Sequence, residues 1–357
     1  DLPREELLQM LDVAPDDGVT ATLSGNQEKE PTMAEPGPLD WLSKYELTDA
    51  EADELSDPNF IIPDLIIDGH IVAIVGKGGS GKSTVLQAMC PDMVREGYTV
   101  VYVHVDCPPG EAKRAREMAK ASGYRLLTPD FKATGVSALH VLGELEKMNA
   151  SGADLRNVVF VFDTLKKFTD LMSKAKAASF LALLGALRGK GMTSVLLGHV
   201  NKHPGHDGKD VFEGVGDLRN DIDELIYLDT LKNDDGSLTI STRPDKVRGE
   251  FHPLTFKVDQ YRNVTKQEVV DVQRILRARE EREKDQPWID ACLEAMNNKM
   301  CSAADISRYA SESHGMGDSR IRNTLRKYAK EGAGQLWYEQ QAMRGKGLCN
   351  YSLTPFR

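Results

Sequence analysis

The segment Val72–Leu86, VAIVGKGGSGKSTVL, constrains this chain more than any other. An apolar run, Ile71–Val75, leads straight into Gly76-Lys77-Gly78-Gly79-Ser80-Gly81-Lys82-Ser83, then Thr84 and a helical pattern. The octet fits G-x-x-x-x-G-K-[ST], and a strand before it with a helix after it is the setting that gives the match physical meaning. Glycines let successive backbone N–H groups turn inward around phosphates. The helix N-terminus adds the positive end of its dipole. Gly76–Thr84 therefore predicts a site for ATP and Mg²⁺, with Lys82 on the β- and γ-phosphates and the Ser83 hydroxyl on the metal.

A strand that ends in such a loop needs partners in a sheet, and the chain supplies them. HIVAIV, YTVVYVHV, NVVFVF, TSVLLG, ELIYL, SLTIST and PLTFKV are β-rich runs, and the early ones alternate with helical stretches. Near-continuous apolar strands alternating with helices predict a mainly parallel sheet covered on both faces, an α/β fold. The last strands are joined by short turns such as KNDDGS, which predicts an antiparallel end to the sheet. This core spans 59–264. A charged connecting helix is expected over 265–286, and Pro287 opens a second, small domain, 287–357. Thr48 and Glu51 have capping-box spacing, so 39–58 reads as a linker helix. Residues 1–38 are polar, acidic and broken by Pro and Gly, which predicts a disordered tail.

Charge is unevenly spread. The net charge is −10, yet residues 1–60 hold 16 acids against 3 bases, and from Met300 onward there are 9 bases against 5 acids. A basic C-terminal end keeps a nucleic-acid partner open despite the acidic total. No apolar run reaches the ~18–20 residues of a membrane span, and the first residues lack a signal-peptide pattern. Five scattered cysteines without a C-x-x-C point to a reducing cytoplasm. The chain opens on Asp1 rather than Met, as expected of a piece cut from a longer polypeptide.

A phosphate loop needs a second acid for its metal. NVVFVFDTLKKF places Asp163 at the carboxyl end of a buried strand, where open α/β sheets bind ligands. An unpaired carboxylate there is costly unless a metal or hydrogen bonds meet it. Hydrolysis also needs a group to orient water. Asp106, ending TVVYVHVD, is the first candidate and Glu111 the second, although Asp106 also reads as a cap for the helix that follows. His199, His203, His206 and Asp207 in HVNKHPGHDGKD could hold zinc, but a mobile loop is the simpler expectation.

The order of these parts, a phosphate loop, an acid after the next strand with a Pro108-Pro109 turn, Asp163, then LLGHVNK, resembles the RecA-like ATPases. The nearest flavour is the RepA/DnaB type, the ring-shaped replicative helicases of phages, plasmids and bacteria. The resemblance covers 59–264. It implies that His199 senses the γ-phosphate. It also implies that the loop after it faces a central DNA channel, with Lys209 and Arg219 as phosphate contacts. Asp106 stands where these motors usually have Glu. Lys246-Val247-Arg248 resembles their K-x-R finger, in which Lys and Arg reach the γ-phosphate of the neighbouring subunit. The resemblance thus implies a homo-oligomer, a hexameric ring, and a possible primase or replisome partner.

The last 70 residues predict three helices and a β-hairpin with a basic glycine turn, a winged helix-turn-helix. Ile289, Cys292, Leu293 and Met296 share one face of the first helix; Ile306, Tyr309 and Ala310 point inward on the second; Ile321, Leu325 and Tyr328 do so on the third. Arg320, Asn323, Arg326, Lys327 and Lys330 lie off that apolar face, as on a recognition helix, with Arg344 and Lys346 at the wing tip. Such a module binds duplex DNA or docks on a protein. The expectation is a cytoplasmic, ATP-driven motor on single-stranded DNA, a replicative helicase or the helicase part of a primase-helicase. The rivals are a regulatory or loader ATPase that acts on a protein, and an ATP-controlled DNA-binding regulator.

Overall fold

The structure is a computed structural model that describes residues 38–54, 59–105, 107–131, 136–201, 211–213, 216–331, 334–341 and 349–355. The chain divides into two compact units, Asp1–Ser56 and Asp57–Arg357. In the first, a 3₁₀ turn, Asp40–Lys44, precedes helix α1, Asp49–Glu54. The capping box forms as its spacing predicts. Thr48 N–H donates to Glu51 Oε2 at 2.8 Å, and Glu51 N–H donates to Thr48 Oγ1 at 3.2 Å.

The second unit is built on a large sheet. A short hairpin, β1 (Phe60–Ile62) and β2 (Ile66–Ile67), leads into β3 (Ile71–Val75). Then come α2 (Lys82–Arg95), β4 (Thr99–His104), α3 (Pro109–Ser122) and β5 (Arg125–Leu127). They are followed by α4 (Ala138–Ala150), β6 (Val158–Asp163), α5 (Lys174–Arg188) and β7 (Thr193–Gly198). The short helix α6 (Gly216–Asp221) precedes β8 (Glu224–Lys232), β9 (Leu238–Lys246), β10 (Thr255–Val258) and β11 (Val264–Gln267). Among the described residues the strand order is β11-β10-β9-β8-β3-β7-β6-β4-β5. The six strands from β8 to β5 run parallel, and β9, β10 and β11 extend the sheet antiparallel.

Period-two alternation sends residues of each parallel strand to opposite faces. Ile71, Ala73 and Val75 join Phe160, Phe162 and Leu196 in a core covered by α4 and α5 through Leu145, Phe180 and Leu184. Val72 and Ile74 join Tyr102, Val161 and Leu197 in a second core covered by α2 and α3 through Leu86, Met93 and Ala119. Both faces are buried, so the strands are apolar throughout. This is the mainly parallel α/β sheet that the alternation of strands and helices predicted, and it is consistent with the RecA-like P-loop core that the resemblance implied. Sequence reading missed β5 and β11, a short edge strand and a polar terminal one.

The expected connecting helix over 265–286 differs from what forms. Its first residues belong to β11, and one helix, α7 (Val272–Asn297), runs from an Asp271 cap straight through Pro287. Pro287 lacks the N–H that would bond the carbonyl of Glu283. Both residues lie on the exposed side of the helix, which continues through the proline. Beyond α7 lie α8 (Ala303–His314), α9 (Asp318–Lys327) and an antiparallel hairpin, β12 (Tyr338–Gln341) with β13 (Cys349–Ser352). Ile289, Cys292, Ile306, Ala310, Ile321, Leu325, Tyr328, Trp337 and Tyr351 form their shared core. The third helix stops earlier than the sequence suggested. Tyr328 buries its ring and its carbonyl accepts from Leu336 N–H at 2.9 Å, which turns the chain away and leaves Lys330 beyond the helix. Among the described residues no helix is long and apolar enough to cross a membrane.

Candidate functional site

Three parallel strands deliver their carboxyl ends to one cleft. The phosphate loop follows β3, Asp163 ends β6, and His199 follows β7. Gly79, Ser80, Gly81, Lys82, Ser83, Thr84, His104, Asp163 and His199 all line it, with a volume of about 500 Å³. The far wall is made by two antiparallel turns, Gly236 between β8 and β9, and Asp259, Gln260 and Arg262 between β10 and β11.

The loop's shape depends on its glycines. Gly79 and Gly81 have φ of +71° and +86°, backbone that L side chains avoid. A Cβ on Gly81 would stand 2.6 Å from Ile240 Cδ1 of β9. One on Gly76 would stand 2.9 Å from Ser80 Oγ and 3.0 Å from the Leu228 carbonyl. Thr230 Oγ1 donates to the Ser80 carbonyl at 2.9 Å and ties the loop to β8.

Lys82 is buried, and its Nζ donates to the carbonyls of Gly76 at 2.8 Å and Lys77 at 3.0 Å. Burial pushes its pKa down to about 8, while Asp163 pulls in the opposite direction. A buried ammonium held by two carbonyls and the Ser80 hydroxyl gains from an arriving phosphate, so this cradle fits a triphosphate. Asp163 is 6% exposed. Its Oδ2 accepts from the Tyr102 hydroxyl at 2.8 Å and lies 3.5 Å from His104 Nε2. With Ser83 across the cleft, the donors are a hydroxyl and a carboxylate, the hard oxygen set that Mg²⁺ prefers. His199 is half-buried; burial, and then the Lys82 charge, hold its imidazole below the ordinary value. It enters the cleft as a neutral ring.

Asp106 lies outside the described residues, as do His203, His206, Asp207 and Lys209. Glu111, the second water-orienting candidate, lines the cleft and sits 3.5 Å from Arg262 Nη1 of the opposite turn. Among the described residues no group of three or more His, Cys, Asp or Glu could hold a metal ion.

Lys246 and Arg248 lie away from their own phosphate loop. Lys246 pairs with Leu225 near the start of β8, level with Ala73 of β3. The loop leaves the carboxyl end of β3, about 10 Å further along the strand. Lys246 Nζ donates to the carbonyls of Arg219, Asn220 and Ile222 at 3.0, 2.8 and 2.5 Å, closing the C-terminal end of α6. Arg248 Nε contacts Asp223 Oδ1 at 2.8 Å. The Asp223 carboxylate also accepts from Ile71 N–H and Arg188. Arg219, a proposed phosphate contact, pairs with Asp245 at 2.8 Å.

The C-terminal cations are only partly free. Lys327 Nζ contacts Asp285 at 2.8 Å and Glu281 at 2.9 Å, both on α7. The Arg320 guanidinium stacks 3.9 Å from the Trp288 ring centroid and 3.5 Å from Asp285. Asn323, Arg326 and Lys330 are exposed. Arg344 and Lys346 lie outside the described residues. Sequence reasoning missed Tyr102, His104, Gln87 and Arg262. The first two sit on a strand it identified, but their approach to Asp163 depends on strand register.

Residues 38–205 match the family model described as an AAA domain. Over 182 residues the chain is 22% identical to the DNA repair protein RadA of Campylobacter jejuni, covering 50% of this chain. The chain spans 38% of the length of that curated relative. Among solved structures, the flagellar accessory protein FlaH from Methanocaldococcus jannaschii aligns with a TM-score of 0.41 and 13% identity, over 58% of this chain and 93% of that one.

Proposed function

We propose that this RecA-like P-loop ATPase is a nucleic-acid motor: a ring-forming replicative DNA helicase, alone or within a primase-helicase, that couples Mg-ATP hydrolysis to movement on single-stranded DNA. Lys82 would leave the carbonyls of Gly76 and Lys77 for the phosphates. Ser83 and Asp163 would hold Mg²⁺, which when bound neutralises charge on the β- and γ-oxygens. Asp106 orients the attacking water, with Glu111 as the alternative. His199, a neutral ring beside Gly76, senses the γ-phosphate.

The observation that carries the ring is the position of Arg248. It pairs with Asp223 beside Ile71, at the end of β3 opposite its own phosphate loop, which supports a role toward another copy rather than its own nucleotide. Developing charge in phosphoryl transfer is stabilised by such an arginine supplied in trans. Lys246 is better read as the residue that braces this segment against α6, because three carbonyls already hold it. Lys209 and Arg219 remain the proposed channel contacts, and similarity to a protein named for DNA repair supports a DNA partner.

A second reading rests on α9. If α7 to β13 form a winged helix, two of the four cations proposed for its recognition face, Arg320 and Lys327, are held by Trp288, Asp285 and Glu281. That favours a module that docks on a protein, as in a regulatory or loader ATPase. ATP turnover measured with and without single-stranded DNA, over a range of protein concentrations, separates the two. A motor shows DNA-stimulated turnover that rises with oligomer formation. Turnover that ignores DNA in a monomer would refute the motor.

A further inference from the structure

Asp163 is held from behind by side chains with no assigned role. In the parallel register of β4 and β6, His104 lies opposite Asp163 and Tyr102 opposite Val161. Tyr102 is fully buried, and its ring packs against His104 at 5.7 Å and Tyr124 at 6.4 Å between centroids. Its hydroxyl donates to Asp163 Oδ2 at 2.8 Å. His104 Nε2 approaches the same oxygen at 3.5 Å, while its Nδ1 lies 3.5 Å from Gln87 Nε2. Gln87 is on α2, the helix that begins with Lys82 and Ser83. A chain of polar groups thus runs from the phosphate-loop helix through β4 to the carboxylate of β6.

We propose that Tyr102 is a positioning residue of the metal–nucleotide site: by donating to Asp163 Oδ2 it fixes the carboxylate so that Oδ1 serves the cation. This rests on the reading of Asp163 as a metal-holding residue. A carboxylate free to rotate must be ordered each time the cation binds; one clamped on a single oxygen is already set. Outer partners of this kind change metal affinity about 10–100-fold when removed. A phenol that only needed a buried acceptor would affect stability and leave metal affinity alone.

The test uses the full chain with Mn²⁺ and ADP as probes and electron spin resonance as the readout. Tyr102→Phe keeps the ring and removes the donor. It should weaken Mn²⁺ binding to the ADP complex about tenfold or more, and leave ADP affinity in EDTA at the wild-type value. In an Asp163→Asn background, where the metal site is already impaired, Tyr102→Phe should have no further effect on Mn²⁺. Wild-type Mn²⁺ affinity in Tyr102→Phe, with Asp163→Asn impaired, overturns the role of Tyr102 alone. Wild-type affinity in Asp163→Asn overturns the metal reading and Tyr102 with it. Should Tyr102→Phe not fold, the wild-type protein labelled with ¹³C-tyrosine decides. The Tyr102 resonance should shift when Mg²⁺ joins the ADP complex, and an unmoved resonance overturns the proposal.

Discussion

Gly81→Ala offers a test of how the phosphate loop is shaped, because two separable effects oppose it. The first is conformational. At φ +86° an alanine costs about 1–2 kcal/mol relative to glycine. The second is steric. The new Cβ would stand 2.6 Å from Ile240 Cδ1, and Ile240 is fully buried, so the core must move. Such overpacking costs about 1–3 kcal/mol. Ile240→Val deletes the offending atom at about 0.5–1.5 kcal/mol. The next neighbours, Leu238 Cδ1 at 3.7 Å and Ile240 Cγ1 at 4.0 Å, are ordinary contacts. In the valine background Gly81→Ala should therefore show only the conformational cost. Urea unfolding of the four proteins gives the coupling directly. An expected coupling of about 1–3 kcal/mol identifies the clash. Equal cost in both backgrounds would refute it. A total cost below about 1 kcal/mol would refute the left-handed geometry as well.

Other perturbations address the rest of the molecule. Lys246→Met should cost about 1–2 kcal/mol in urea unfolding by uncapping α6, with ATP affinity unchanged; full stability with abolished turnover would make Lys246 a finger after all. Asp285→Asn should loosen Lys327 and Arg320, which keep Glu281 and Trp288, and raise affinity for duplex DNA in fluorescence anisotropy; unchanged affinity would favour protein docking by α9. Burial pushes the Asp223 carboxyl up, but Ile71 N–H and Arg188 outweigh it, so its pKa lies below the ordinary 3.8. Its stabilising contribution is therefore present above that value and lost as pH falls through the folded one. Asp223→Asn should flatten the loss of stability below about pH 4 in urea titrations across pH. An unchanged pH profile would show that Asp223 is not a source of acid sensitivity.

What could be read from the sequence was local. The phosphate loop is contiguous, and its strand–loop–helix setting is stated by neighbouring residues. Asp163 announced itself by ending an apolar strand. What escaped was set by distant partners. Tyr102 looks like any core aromatic until β4 and β6 come into register. Val264–Gln267 is short, mostly exposed and polar, so nothing in VTKQ distinguishes a terminal strand from a helix start. Pro287 reads as a boundary because sequence alone does not reveal that Glu283 and Pro287 share an exposed side of one continuous helix. Lys327 looked free to bind DNA because Asp285 and Glu281 lie on another helix, more than 40 residues earlier.

The central claim is that the active site is shared between copies. Lys82→Ala removes the phosphate contact, and Arg248→Ala removes the trans arginine, while Asp223 keeps Ile71 N–H and Arg188. Each variant alone should have almost no ATP turnover. Mixed, they can pair an intact phosphate loop with an intact Arg248 from a neighbour. Turnover that returns on mixing is the predicted result. Turnover that stays absent in a mixture shown to co-assemble, or Arg248→Ala that is active alone, would contradict it.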